Sequence, residues 1–247
     1  VYGLLVSKHS ELETFLGPAR LSTYLSAAGG DADRATDLYL WATEVSGALH
    51  AQLSFVELAV RNSIDRRLVE WNDAQGHGPE WTGDGRAAPL LYQLLRKPLR
   101  DARTWADKEA ALRHPRHPRH GVGVTHDDVV AQLMFGAWVK LIRPISKTES
   151  SAPQKQLWTE VLRRAFPDSD QSDAGRRAIG TQLETMRQLR NRVAHHDNLL
   201  EVDIRHRQNG ALSLLSKVDP ALPALAVARS PLRRLVREDP RRSWSDR

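Results

Sequence analysis

Residues 187–198 read RQLRNRVAHHDN. Arg190 and His195 stand five positions apart, Asn191 follows the arginine, and His196 follows the histidine. Arginine plus histidine, without a carboxylate cluster, suits phosphoryl transfer. RNA carries its own nucleophile, the 2′-OH, and a histidine titrating near neutral pH can move its proton. An arginine can hold the phosphate and offset the charge that builds in the transition state. DNA lacks that hydroxyl and is not cut by this route.

The spacing alone is weak. The chain holds 29 Arg and 10 His, so chance supplies about one such pair. His195 is the one histidine that has it. Each helical residue turns about 100°, so positions five apart lie about 140° apart. Asn191 and His195, at i and i+4, share a face, and the Asn amide can fix the imidazole tautomer. Arg187 continues that face one turn earlier. Arg190 joins His195 only if the helix ends or distorts there, or if a two-fold-related copy supplies the other half. The plain alternative is a solvated helix end whose cations suit the dipole.

The elements around this stretch read as helical. Residues 31–72 carry no proline, and Leu49, Leu53, Val56, Val60 and Ile64 recur at helical spacing. PARLSTYLSAA predicts a shorter helix before it, ended by Gly29-Gly30. Further helices are expected over 89–112, over 127–142 with two acids at its start, in APQKQLWTEVLRRAF up to Pro167, and in SDAGRRAIGTQLETMRQLRNRVAHH. Short proline-punctuated helices follow in DPALPALAVARSPLRRLVRED. The glycine-rich stretch 73–88 and the stretch 113–126 mark two long surface loops. LEVDIRHRQNGALSLL alone has strand character, enough for a short hairpin. The expectation is a single all-α domain, residues 1–247, with a basic, frayed C-terminal tail over about 229–247.

Composition narrows the class. Cysteine is absent, which excludes disulfides and thiolate chemistry. No run of eighteen apolar residues suggests a membrane span, and VYGLLVSKHSELETFLG lacks the features of a signal peptide. A cytoplasmic protein is expected. The net charge of +6 and the excess of Arg over Lys suit a polyanion, although a GC-rich genome produces the same bias.

LRNRVAHHDNL resembles the signature of the Abi (abortive infection) proteins of the HEPN superfamily. ARLSTYLSAAGGDADRATDLYLW, FVELAVRN, VVAQLMFGAWVKLI, LWTEVLRRAFP and VDPALPALAVARSPLRRLVREDP also resemble stretches of actinobacterial members, in the same order. The resemblance implies an HEPN-like helical bundle and a metal-independent endoribonuclease. It implies no cofactor, and a homodimer with the motif helix at its interface. Such proteins are toxins that arrest growth or block phage; a trigger or antitoxin would control this one. By that resemblance Arg190 and His195 are the catalytic pair and Asn191 the polar companion. Arg187, Arg192 and His196 would support RNA binding. Members often carry Glu after the double histidine, where this chain has Asp197. The alternative of the same fold is a non-catalytic dimeric module that binds RNA or protein.

Other stretches have two readings each. Glu57, Arg61 and Asp65, at i, i+4 and i+8, suit an ion-pair ladder; the family resemblance instead puts Glu57, Arg61 and Asn62 in the cleft opposite the motif helix. RNSIDR at 61–66 echoes RNRVAH but has Arg66 in place of the histidine. RHPRHPRH at 113–120 has the three-residue period of polyproline II, which suits a solvated loop, an RNA-backbone contact or an adventitious metal site. Adjacent His195 and His196 make a poor chelate, so no catalytic metal is expected. Trp41, Trp138 and Trp158 fall in apolar helical runs and are expected in the core. Trp81 and Trp244 lie in loop-like segments where they can stack on bases.

Overall fold

The computed structural model describes residues 11–146 and 148–244. The first ten residues of the leading segment and the last three of the basic tail lie outside them. The described chain is helical throughout, with no strand. In order it forms α1 (residues 11–16), α2 (Pro18–Ala27), α3 (Ala32–Ala74), α4 (Pro89–Ala111), α5 (His126–Gln132) and α6 (Phe135–Ile142). There follow α7 (Ala152–Glu160), α8 (Asp173–Ala194), α9 (Ile204–Val218), α10 (Leu222–Val227) and α11 (Leu232–Arg237), with short 3-10 turns at Leu162–Ala165 and Pro240–Ser243. No described helix is long and apolar enough to cross a membrane.

Two compact units result. One comprises residues up to 53, 190–209 and 227 onward; the other comprises 54–189 and 210–226. The core of the first holds Leu21, Leu38, Trp41, Val45, Leu49, Val193, Leu199 and Leu235. Its Trp41 Nε1 donates to the Leu235 carbonyl at 2.8 Å, which satisfies the one polar atom of a buried indole. The basic tail is not frayed through residue 244. Arg241 donates to the Asp239 carboxylate and the Leu200 carbonyl, and stacks on Trp41 at 5.6 Å. Trp244 is half-buried, with the Arg34 guanidinium over its ring at 5.5 Å.

In the second unit α4 packs against α5, α6 and α7. The core holds Ile64, Leu68, Leu95, Trp138, Trp158 and Phe166. Two expected helices are broken. Leu133 and Met134 take extended backbone between α5 and α6, and Val161 (φ −143°) ends α7 before Phe166. Neither break has a glycine or proline, so packing of Phe135, Trp138 and Leu162 overrides local propensity. The hairpin expected from LEVDIRHRQNGALSLL is instead the turn into α9, whose Ile204, Ala211, Leu214 and Leu215 are buried at helical spacing.

Both long loops are pinned by carboxylates. Trp81 is fully buried, not a base platform, and its Nε1 donates to Asp65 Oδ1 at 2.8 Å. The same oxygen accepts from His126 Nε2 at 3.1 Å, which leaves His126 Nδ1 to accept from the Thr82 hydroxyl at 2.8 Å. Thr82 is 1% exposed, so this chain of contacts fastens a loop and offers no nucleophile. The 113–126 loop is held by Asp128. Its carboxylate takes two 2.6 Å bonds from Arg119, lies 3.3 Å from Arg113, and closes a capping box with Thr125. RHPRHPRH is not polyproline II. His117 and His120 donate backbone N–H to the carbonyls three residues earlier, a run of turns.

The Arg119 guanidinium and the Thr125 donors hold the Asp128 carboxyl well below the usual carboxylate range. Its stabilising contribution is therefore complete above about pH 4, the unfolded value, and is lost as pH falls through the lower folded value. Asp128→Asn is expected to cost about 2 kcal/mol at neutral pH, through the lost cap and charged bonds. Urea midpoints of wild type and variant should differ at pH 7 and converge in strong acid.

Candidate active site

The motif stretch closes α8. His195 still donates its backbone N–H to the Asn191 carbonyl at 2.9 Å, so its Cα remains on the helical path. The helix then stops sharply. His196 has φ 54°, its N–H reaches the Val193 carbonyl at 3.1 Å, and the Asp197 N–H reaches the Arg192 carbonyl at 2.9 Å. These two bonds are a Schellman ending, with His196 as the left-handed residue. The ends of α2 and α3 carry the same pair of bonds, with Gly29 and Gly76 left-handed. His196 is the only non-glycine among the described residues at positive φ. The position costs an L-residue about 1 kcal/mol relative to glycine.

The termination exposes the end of the helix. Arg192, His195, His196 and Asp197 are exposed, Arg190 and Asn191 are half-buried, and Val193 and Leu199 anchor the turn in the core. Because His195 has not left the helical path, Arg190 and His195 keep their angular separation of about 140°. The helix end by itself therefore does not bring the two onto one face. Asn191 and His195 share a face, but their link is through the backbone, and no described hydrogen bond joins the amide to the imidazole.

The supporting residues divide. Arg187 is held by Glu184 in a two-point ion pair at 2.7 and 2.8 Å, which lowers the carboxyl and offsets the cation. Glu57, Arg61 and Asn62 belong to the other unit from Arg190 and His195. Arg61 Nε donates to Asn62 Oδ1 at 3.3 Å, and Asp65 is engaged by Trp81 and His126. Among the described residues, no group of three His, Asp or Glu side chains is placed to hold a metal ion.

No family model, curated protein or solved structure matches the chain.

A cavity of about 770 Å³ lies in the first unit, against the Schellman turn. Val193, Ala194, His196 and Asp197 form one wall, and residues of α3 between Tyr39 and His50 form another. Neither Arg190 nor His195 lines it. Burial, with Tyr39 beside it, pushes the Tyr24 phenol up, so that hydroxyl stays neutral and can donate.

His196→Gly is expected to raise stability by about 1 kcal/mol by removing the strained conformation. A higher urea midpoint with unchanged slope checks this; a lower midpoint would mean that the imidazole makes compensating contacts.

Proposed function

We propose that the chain is a metal-independent endoribonuclease of the HEPN kind, acting as a homodimer on single-stranded RNA or RNA loops, as a cytoplasmic growth-arrest toxin in phage defence. The carrying observation is the helix end: an exposed imidazole on the last turn, with Arg190 and Asn191 in the turn before it. In the reaction the 2′-oxygen attacks phosphorus as the P–O5′ bond breaks. His195 moves a proton from the 2′-OH or to the leaving 5′-oxygen. Arg190 of the second copy holds the non-bridging oxygens and offsets their added charge. The products are a 2′,3′-cyclic phosphate and a 5′-OH. The basic balance of the chain and the exposed Arg192 favour a polyanionic substrate.

A second reading has one observation in its favour. Arg190 and His195 diverge on one helix, so a chain that stays monomeric binds RNA at this end without cutting it.

Purified protein incubated with total RNA in EDTA tests the proposal. Wild type should leave cyclic-phosphate ends. His195→Ala and Arg190→Ala should each lose at least about a hundredfold in rate. RNA binding retained by all three without cleavage by any would favour the binding module.

A further inference from the structure

The cavity beside the Schellman turn owes its existence to missing bulk on one face of α3. Tyr39, Ala42, Thr43, Ser46, Gly47 and His50 fall at i, i+3, i+4, i+7, i+8 and i+11, a single face of the helix. The four central side chains are small, so they form the floor of a trough. A Cβ built at Gly47 meets no described atom within 4 Å. Glycine in a helix interior costs about 1 kcal/mol relative to alanine, and here the added methyl would have had room.

The ends and rim of the trough carry chemistry. At one end Tyr39 packs edge-on against Phe15, centroids 6.0 Å apart, and against Tyr24 at 5.3 Å. Phe15 is 71% exposed, so a flat apolar ring remains open at the mouth. Arg20 is the one arginine of the lining, Asp197 the one acid, and His50 and His196 add two imidazoles. Thr43, Ser46 and the two tyrosines supply hydroxyls. His196 reaches this wall from the strained residue that ends α8. An exposed apolar ring with hydroxyls, imidazoles and an arginine around it suits a planar heteroaromatic group that bears a phosphate.

The geometry points to a nucleobase pocket: the trough takes an unstacked base of single-stranded RNA, its plane on the exposed Phe15 ring and its phosphate toward Arg20. The pocket adjoins the helix end of the proposed nuclease and rests on that reading for its role in cleavage. It would choose which nucleotide stands near the cut, a task that Arg190 and His195 cannot perform through phosphate contacts alone.

The test uses the full chain and a labelled ten-nucleotide single-stranded RNA, 2′-O-methylated to prevent cleavage, beside the same strand with its bases removed. Cleavage of unmodified RNA is measured in parallel. Gly47→Leu fills the trough while improving helix propensity, so it should melt no lower than wild type. Its affinity for the intact strand should fall about tenfold or more, and Phe15→Ala should weaken binding similarly. The base-free strand should bind wild type and both variants alike. Gly47→Leu binding intact RNA as wild type does would overturn the pocket. So would a change of oligomeric state in that variant with RNA binding unaltered, which would seat a second copy there. Binding by wild type that Gly47→Leu weakens, without cleavage, supports the pocket and removes the nuclease reading. Cleavage unaffected by Gly47→Leu removes the pocket alone, and no RNA binding by wild type removes both.

Discussion

The chain must reverse after Ala194 to return Leu199 and Leu200 to the core, and the left-handed residue at 196 performs that reversal. A helix continuing through His195 would surround its imidazole with another turn and carry Asp197 away from α3. Ending at 196 leaves His195 exposed on the last turn and puts His196 and Asp197 along a cavity wall. Gly29 and Gly76 close two other helices with the same bonds and without a Cβ penalty. A histidine at 196 holds an imidazole at a place where backbone geometry favours none. Strain of this kind belongs where a side chain has work that packing does not supply.

The arginines sort into two populations. Arg103, Arg113, Arg119, Arg176, Arg187 and Arg241 are tied to carboxylates or carbonyls and hold loops and helix ends in place. Arg66, Arg116 and Arg192 are exposed. The count of arginines therefore overstates what a polyanion meets, because many of them are internal fastening. The same holds for the aromatics. Trp81 and Trp244 sit in irregular segments, yet one is fully buried and the other lies under a guanidinium.

Much of the fold was legible because helical periodicity and glycine-rich loops are local signals. The apolar spacing along α3, the glycines after α2 and the acids at the start of α5 each act within a turn or two of where they stand. The breaks at Leu133–Met134 and at Val161 were not legible, since neither has a glycine or proline at the break itself. The strand character around Val202 and Ile204 misled because β-branched residues read alike in a buried helix face. At the site, the residue types and the i, i+4 relation were visible. The helix end was expected near the double histidine, but a histidine standing in a glycine's conformation was not. The trough went unseen because it is made by absent bulk, and four small residues on a helix face have no distinctive periodicity.

The central claim is that Arg190 and His195 act together across two copies of the chain. Mixing the Arg190→Ala and His195→Ala proteins under conditions that exchange subunits, then assaying RNA cleavage, tests it directly. A mixed dimer keeps one site with both residues intact, so the mixture should recover roughly a quarter of wild-type activity, with half of all pairs mixed and one of their two sites whole. A mixture as inactive as either parent, beside an active wild type and demonstrated exchange, would contradict it.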